Sequence, residues 1–288
     1  MARKGRNDLD TLPRLLPDSS IIAELKALTR DQDRLIQMQT RLVNQIIAAL
    51  KAYYPLALTL VSKIQQEVTL AFLLRYPTLS EARAASVAEV ETVLRQAKHP
   101  PAARKAQEIT EAVQQAHLAA DPITTGTKAR LLVILLLQLQ PLIDGIALYD
   151  AEIARLFVTH PDHVLFDGLP GAGERLAPRL LAEWGDERQR SDSAASVQML
   201  GGTAPLPFQS GNFCTAHQRF SCIKPLRNLL YQFAWQSTQA RSLGEGVLST
   251  EAYSGQNACH GSAGLGESVG ADHLCGLATA GVLRSHDL

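Results

Sequence analysis

The sequence predicts a mainly α-helical protein in which a long helical arm precedes a small helical domain. The first observation is a stretch without glycine or proline, Ile21–Tyr54, in which apolar residues recur every three or four positions. The second is a similar apolar repeat over about Thr127–His160. Two long helices on either side of shorter ones predict an antiparallel hairpin arm or, equally, two sides of a plain bundle.

The first long helix has clear start and stop signals. The segment 17–20, Pro-Asp-Ser-Ser, offers an N-terminal cap, and Pro55 ends the pattern. A helix of more than thirty residues exceeds ordinary globular length, which favours a coiled-coil arm. Four cations lie on its predicted polar face: Arg30, Arg34, Arg41 and Lys51. Such a row is most often a solvated face, and the alternative is a face that follows nucleic acid.

Shorter helices fill the rest of the predicted architecture. Between the two long helices, the apolar pattern and caps predict helices over 56–76, 80–97 and 102–119. Pro141 is expected to kink the second long helix. Beyond residue 160, helices are expected over 176–184, 193–200 and 223–241, with a loop over 201–213.

A glycine-rich turn, "DGLPGAGERL", directly precedes the helix predicted over 176–184. One interpretation is a tight connection, because glycine and proline both favour turns. The other is phosphate binding, because the first amides of a helix are unsatisfied donors. An apolar-Pro-Gly-x-Gly turn between helices is the form of helix-hairpin-helix modules, which bind nucleic-acid backbone. The candidate DNA-binding residues of the turn are Leu169, Pro170, Gly171 and Gly173.

Ser210 is the candidate catalytic residue. It lies between Gln209 and Gly211 in the predicted loop, and basic and aromatic side chains follow it. A serine hydroxyl becomes a nucleophile when a base or cations lower the cost of ionising it, and a phosphodiester target needs its own charge neutralised. The candidate cations are Arg219, Lys224 and Arg227. The alternative is an ordinary turn serine.

The remaining composition indicates a soluble protein in a reducing, cytoplasmic setting without a membrane partner. The four cysteines are too few for a disulfide-stapled secreted domain, and the start of the chain does not resemble a signal peptide. The most apolar run, Leu131–Leu137, is far shorter than a membrane span. Cys214, His217 and Cys222 lack the fourth ligand of a structural zinc site, so no metal site is predicted.

Charge is distributed unevenly along the chain. The chain has 28 basic and 28 acidic residues, and the segment 243–288 contains one of the basic and five of the acidic ones. Residues 1–242 therefore have 27 basic and 23 acidic residues, a net charge of about +4. The segment 243–288 also lacks a helical or strand period, which predicts a disordered tail. The neutral total, taken alone, argues against a nucleic-acid partner, but the tail sets that total and the body of the protein is mildly basic.

Taken in order, these segments resemble one family. "LPGAGERLAPRLLAEWGD", "GGTAPLPFQSG" and "RFSCIKPLRNLLYQFAWQS" resemble the C-terminal domain of transposases of the insertion-sequence family numbered one hundred and ten, which includes the eleven-eleven branch. "LTRDQDRLIQMQTRLVNQIIAALKAYYP" resembles the coiled-coil helix that precedes this domain. The resemblance covers about residues 14–242.

The resemblance implies a DNA recombinase with two catalytic parts. One is a RuvC-like DEDD domain whose acidic residues would hold Mg²⁺. The other is the C-terminal domain with a serine nucleophile, whose motif position Ser210 matches. Such enzymes are guided by a structured RNA from the element itself, and their coiled coils are thought to pair into oligomers. DNA, a guide RNA and a second copy of the chain are thus the expected partners.

Two departures from the family pattern shape the expectation for this chain. Residues 1–17 resemble only the end of the RuvC-like domain, so Asp8 and Asp10 are not assigned as metal ligands and no cofactor is expected here. Residues 243–288 do not resemble the family, which suggests a frameshift near Ser242. The expected organisation is therefore a remnant, an arm over 18–160, a transposase domain over 161–242 and the tail, and the chain is expected to be an incomplete, inactive copy.

Two rival functions remain open at the level of sequence. The first is a non-catalytic helix-hairpin-helix module for DNA binding or oligomerisation. The second is a helical scaffold without a nucleic-acid partner. DNA binding that weakens steeply with salt separates either DNA function from the scaffold, and a covalent adduct with DNA at Ser210 separates the enzyme from the binder.

Overall fold

The structure is a computed structural model that describes residues 16–61, 63–98, 100–115, 120–187, 193–210 and 213–239. These residues are mostly helical, as the sequence predicts, with one two-stranded antiparallel sheet. The tail 243–288 with its suggested frameshift, and residues 1–15 of the expected remnant, lie outside the described residues.

The elements follow the chain in a simple order. The helices are α1 (Ser20–Tyr53), α2 (Ala57–Leu60), α3 (Glu67–Arg75), α4 (Leu79–Ala84), α5 (Val87–Gln96), α6 (Ala102–Gln114), α7 (Pro122–Phe157), α8 (His163–Asp167), α9 (Gly173–Trp184), α10 (Ala194–Gly201) and α11 (Lys224–Gln239). The strands are β1 (Leu206–Ser210) and β2 (Phe213–His217), both between α10 and α11.

The described residues fall into two compact units. The first unit contains the described residues up to Arg30 and those from Asp150 onward. The second unit spans Asp31–Tyr149. The functional domains predicted at 18–160 and 161–242 remain predictions, since a division by packing does not assign a function to either part.

Helix α1 confirms the long helix expected from the sequence. The Ser19 side chain accepts a hydrogen bond from the Ile22 amide at 3.3 Å, as the predicted cap requires. The helix ends at Tyr53, shortly before Pro55. One predicted surface cation has a different role: Arg30 donates two hydrogen bonds, at 2.7 and 2.9 Å, to the Glu183 carboxylate, which is only 6% exposed. Arg30 is thus part of the fold.

The short helices after α1 differ from the sequence prediction in two places. The helix predicted over 56–76 is divided into α2 and α3, and the one predicted over 80–97 into α4 and α5. The second division has a local cause. Thr78 with Glu81 and Ser86 with Glu89 each form a capping box, so each pair begins its own helix. These helices pack into one hydrophobic core with α1 and α7 residues of the same unit.

Helix α7 runs through Pro141 without interruption. In the described part of the chain, it is the helix with the length and apolar composition of a membrane span. Packing explains one face of the helix, because Leu132, Leu136 and Leu139 are fully buried in the core of the second unit. Other apolar side chains of α7 are exposed: Leu131 is 41%, Ile134 54% and Leu137 60% exposed.

The loop predicted over 201–213 is wrong, because strand β1 lies within it. The two strands pair antiparallel, with Leu206 opposite His217 and Ser210 opposite Phe213. Two residues, a glycine and an asparagine, separate the strands in the sequence. Helix α11 then packs against α10 through a small cluster formed by Val197, Leu226, Leu230 and Ala234, with Trp184 against it.

A buried histidine ties three parts of the first unit together. His160 is 5% exposed, and its Nε2 lies 2.8 Å from Asp186 Oδ1. The other oxygen of Asp186 accepts a hydrogen bond from the Ser19 amide at 2.7 Å. Burial opposes ionisation of Asp186, but the hydrogen bonds from Ser19 and His160 outweigh it and lower the pKa of this carboxyl. The start of α1, the end of α7 and the end of α9 are thereby connected.

Two adjacent tyrosines in the second unit predict opposite effects of the same substitution. The Tyr54 side chain is fully buried, and its hydroxyl has no hydrogen-bond partner among the described residues, whereas the Tyr53 hydroxyl donates to the Pro77 carbonyl at 2.6 Å. We expect Tyr54→Phe to leave the free energy of unfolding unchanged or raise it by up to about 1 kcal/mol, and Tyr53→Phe to lower it by about 1 kcal/mol. Urea unfolding measures both. A larger loss for Tyr54→Phe than for Tyr53→Phe would contradict the assignment.

Candidate nucleic-acid interface

The glycine-rich turn joins α8 to α9, as the sequence pattern predicts. Amides leaving α8 donate back to it, from Gly168 to the Val164 carbonyl and from Leu169 to the Phe166 carbonyl. Gly171 and Gly173 have φ angles of +82° and +57°, in the left-handed region that favours glycine. The two glycines thus allow the chain to reverse between two helices.

Gly171 has a second role, in packing. A Cβ atom at this position would lie 2.8 Å from the Ser237 amide nitrogen and 2.9 Å from the Gln236 carbonyl carbon, both in the backbone of α11. The Ser237 hydroxyl also donates to the Pro170 carbonyl at 3.1 Å. The turn and the last part of α11 therefore meet backbone to backbone, which only glycine permits.

The candidate DNA-binding residues of the turn become accessible at its C-terminal end. Leu169 is 8% exposed and Ala172 is 1% exposed, while Pro170 and Gly171 are half-buried. Gly173 is exposed, with open space around its α-carbon. No side chain caps the start of α9 at Ala172, so the first amides of this helix are the donors that the turn can present. Of the four predicted DNA-binding residues, Gly173 is the accessible one.

Ser210 is exposed at the end of β1. Because side chains alternate along a strand, Ser210 shares one face of β1 with Phe208 and Leu206. Phe208 is 55% exposed and Leu206 is 41% exposed. The candidate nucleophile therefore lies on an accessible face that is otherwise apolar and aromatic.

His217 cannot act as the base for Ser210 within this sheet. It pairs with Leu206, four residues from Ser210 along β1. At about 3.3 Å per residue, that register separates the two residues by roughly 13 Å, far beyond hydrogen-bond reach. The His217 ring instead lies perpendicular to the Phe208 ring, with 5.7 Å between centroids and 84° between planes.

The three predicted cations have different environments. Lys224 is exposed at the start of α11, and Arg219 is half-buried. Arg227 is held in the fold, where Nε donates to the Gly201 carbonyl at 3.3 Å and Nη2 donates to the Arg219 carbonyl. Arg227 thus links the end of α10 to the segment after β2 while its charge is opposed only by carbonyl groups in these contacts.

The segment that carries these cations contains no carboxylate. Between Ser193 and Gln239, the sequence has three Lys or Arg residues and no Asp or Glu, a net charge of +3 with histidine neutral. Elsewhere in the same unit, basic side chains meet acidic ones, as Arg30 meets Glu183 and Arg175 meets Asp150. Among the described residues, the hairpin and α11 are therefore a cationic segment whose three cations form no ion pair with a carboxylate.

No metal-binding cluster forms among the described residues. No three His, Cys, Asp or Glu side chains in that part of the chain lie close enough together to hold an ion. Asp8 and Asp10 lie outside the described residues. The magnesium expected for a RuvC-like domain has no fitting ligand set in the described part and remains a prediction.

The hairpin that carries the candidate nucleophile is not predicted by the sequence analysis, which places a loop there. A signal was present, because two runs rich in aromatic, apolar and hydroxyl residues are separated by Gly-Asn, which is a two-residue hairpin pattern. Pro207, within the first run, weakens this hairpin pattern. Proline is tolerated in a strand whose amide needs no partner, as at a sheet edge.

Two protein-family models match this sequence, one near each end of the chain. A family model described as "Transposase IS116/IS110/IS902 family" matches residues 164–245, which include the turn, the hairpin and α11. A DEDD transposase model of the IS110 type, described as "Transposase", matches residues 1–55. A curated relative from Streptomyces coelicolor, "Mini-circle putative transposase for IS117", is 26% identical over 244 residues, which are 82% of this chain and 58% of the relative. The chain thus spans 58% of the length of that relative.

The two glycines of the turn predict a matched pair of substitutions. Gly171→Ala forces a left-handed φ on alanine and places its Cβ against the α11 backbone, so we expect a loss of about 3 kcal/mol or more in the free energy of unfolding. Gly173→Ala has only the φ strain, and we expect a loss of about 1 kcal/mol. Thermal and urea unfolding of the two variants measure the difference. Equal losses would show that the turn and α11 do not meet as described.

Proposed function

The chain belongs to the IS116/IS110/IS902 family of transposases, and we propose from this premise that it acts in DNA transposition through the described residues from 161 onward. The observation that carries the proposal is the exposed hydroxyl of Ser210 on a hairpin whose surrounding segment holds three cations and no carboxylate. The arm over 18–160 would then hold copies of the chain together, by pairing of its long helices.

Electrostatics favour a polyanion as the partner of this segment. A protein that neutralises phosphates with Lys or Arg releases condensed counterions, which drives binding without regard to sequence. The net charge of +3 between Ser193 and Gln239 is modest, so the expected affinity is weak and salt-sensitive. The amides at the start of α9, near the exposed Gly173, would add one phosphate contact.

The proposed chemistry is attack of Ser210 Oγ on a DNA phosphodiester. The oxygen forms a bond to phosphorus and loses its proton, one ester bond of the phosphodiester breaks, and the departing deoxyribose oxygen takes up a proton as a hydroxyl. The product is a phosphoserine ester that conserves the energy of the broken bond for rejoining. Lys224 and Arg219 would offset charge on the phosphate during this step.

The proton acceptor for Ser210 lies outside the hairpin segment. Between Ser193 and Gln239 there is no carboxylate, and His217 is at the far end of the sheet. In the family pattern, carboxylates of a RuvC-like domain supply the remaining catalytic groups and hold Mg²⁺. We therefore place the base outside the C-terminal domain. A guide RNA, a second copy of the chain and a cytoplasmic setting complete the proposal by the same family resemblance.

A non-catalytic role is the second candidate function. Its specific support is the pair of helices α8 and α9 joined by the glycine-rich turn, together with the lack of a base near Ser210 in the hairpin segment. In that case the described domain would bind DNA backbone or hold copies of the chain together without forming a covalent intermediate.

Replacement of the candidate nucleophile separates the two functions. In an in-frame, full-length reconstruction that includes an intact RuvC-like domain, we expect Ser210→Ala to reduce recombination to background, because alanine has no hydroxyl to form the phosphoserine ester, while DNA binding changes less than two-fold. Recombination is measured in cells that carry the element's DNA, and binding by fluorescence anisotropy. Ser221→Ala is the matched control, since Ser221 is also exposed and lies near the hairpin; it should keep full activity. Recombination by the Ser210→Ala variant would rule out the nucleophile.

The salt dependence of binding separates a DNA-binding domain from a helical scaffold. We expect Lys224→Ala to reduce the slope of log Kd against log salt concentration by about one, because one phosphate contact is lost. Lys51→Ala removes the same charge from the exposed face of α1 and is the control. An unchanged slope for Lys224→Ala would remove the hairpin segment from the DNA-binding surface, and a decrease for Lys51→Ala would show that α1 also contacts phosphate.

A further inference from the structure

Phe208 is an exposed aromatic residue on the hairpin, two positions before Ser210 on β1. Its side chain is 55% exposed, and its ring contact with His217 is perpendicular, so His217 does not cover it as a stacked partner. Leu206, which is 41% exposed, lies on the same face of β1, so the Phe208 ring belongs to a local apolar patch of the kind that marks a binding surface.

The position of Phe208 relative to Ser210 limits the choice of partner. The two residues are two positions apart on the same face of β1, about 6.6 Å along the strand. That spacing is about two stacked nucleotide steps of roughly 3.4 Å each. A nucleic-acid strand with one phosphate at Ser210 would therefore place a nearby base beside the Phe208 ring.

The charge around the face favours a nucleobase over an apolar protein surface. No Asp or Glu lies between Ser193 and Gln239, while Lys224 is exposed in the same segment. Aromatic rings interspersed with cations, without carboxylates, are the features that bind single-stranded nucleic acid, where bases stack on the rings and phosphates meet the cations. Binding of an apolar protein surface would not require the segment to lack Asp and Glu.

We propose that Phe208 is a stacking platform for an unpaired nucleobase, which it positions beside the phosphodiester that Ser210 addresses. This inference rests on the proposed function for the place of the scissile phosphate, and it adds a preference for a locally unpaired strand. His217 supports the ring from the side through its perpendicular contact. Phe208 acts as a positioning residue, because it touches the base and leaves the reacting oxygen to Ser210.

The probe for this site is a single-stranded thymidine oligonucleotide that contains one 2-aminopurine, compared with the same sequence as a duplex. We expect the full chain to quench 2-aminopurine fluorescence in the single strand and to bind it more tightly than the duplex. Phe208→Ala should weaken single-strand binding by about 5- to 100-fold and remove the quenching. The salt dependence should stay unchanged, because no phosphate contact is lost.

Two variants control for surface and fold. Phe208→Trp should restore binding and quenching, since a larger ring stacks at least as well. Phe220→Ala removes an 82%-exposed phenylalanine that lies off the strand, and it should change binding less than two-fold. Circular dichroism and thermal unfolding confirm that each variant is folded, and a variant that does not fold is replaced by Phe208→Leu, which keeps apolar volume but not the ring.

Distinct outcomes separate failure of the platform from failure of the proposed function. Normal single-strand binding by Phe208→Ala or Phe208→Leu overturns the platform, and a simultaneous loss of self-association in sedimentation would identify the face as a contact between copies. If the wild-type chain quenches 2-aminopurine through Phe208 but Ser210→Ala retains recombination, the platform stands and the nucleophile fails. If Ser210→Ala loses recombination while Phe208→Ala binds normally, the nucleophile stands and the stacking platform fails.

Discussion

The close contact between the glycine-rich turn and the end of α11 is the constraint on which the C-terminal part of the structure depends. At Gly171 the two backbones approach to a distance that no Cβ atom allows. The other end of α11 is held through Arg227, which binds the carbonyls of Gly201 and Arg219, and through an amide-to-carbonyl bond from Ile223 to Leu200. With α11 held at both ends, the hairpin between α10 and α11 has a defined base from which Ser210 projects.

This contact changes the meaning of the motif that first suggests DNA binding. Glycines in a turn before a helix allow phosphate to approach, but here one of them allows α11 to approach. The exposed Gly173 and the uncapped start of α9 remain for a ligand. Gly171 thus has a structural role in the turn, and Gly173 is the glycine that a ligand can reach. A sequence cannot separate them, because the partner backbone at Gln236 and Ser237 is more than sixty residues away.

Local signals in the sequence predicted the helices well and the contacts poorly. The long helix α1, its cap and its end follow from apolar spacing, Ser19 and Pro55. The sequence predicts a loop in place of the hairpin because Pro207 reduces the strand signal that Gly-Asn raises. It predicts a polar-face position for Arg30 because the partner of Arg30, Glu183, is distant in sequence. The position of Ser210 at the end of an exposed strand, and the distance of His217 from it, required the register of the sheet.

The distribution of charge connects the fold to the proposed function. Around the turn and the long helices, acidic and basic side chains neutralise one another, as in the Arg30–Glu183 and Arg175–Asp150 pairs. The hairpin and α11 have cations and no carboxylate to oppose them. A surface of this kind offers phosphates an electrostatic gain, and the same lack of carboxylates leaves Ser210 without a base of its own. The proposed enzyme must therefore combine this segment with catalytic groups from another part.

If Ser210 attacks DNA, it becomes covalently linked to the strand, and mass spectrometry of the linked peptide detects that bond. The reaction is quenched in denaturant, the DNA is trimmed by nuclease, and the protein is digested with trypsin, which releases residues 191–219 as one peptide. We expect a nucleotide-phosphate mass on this peptide, localised to Ser210 by fragmentation. A DNA adduct localised to any other residue, or strand exchange without an adduct on this peptide, would contradict it.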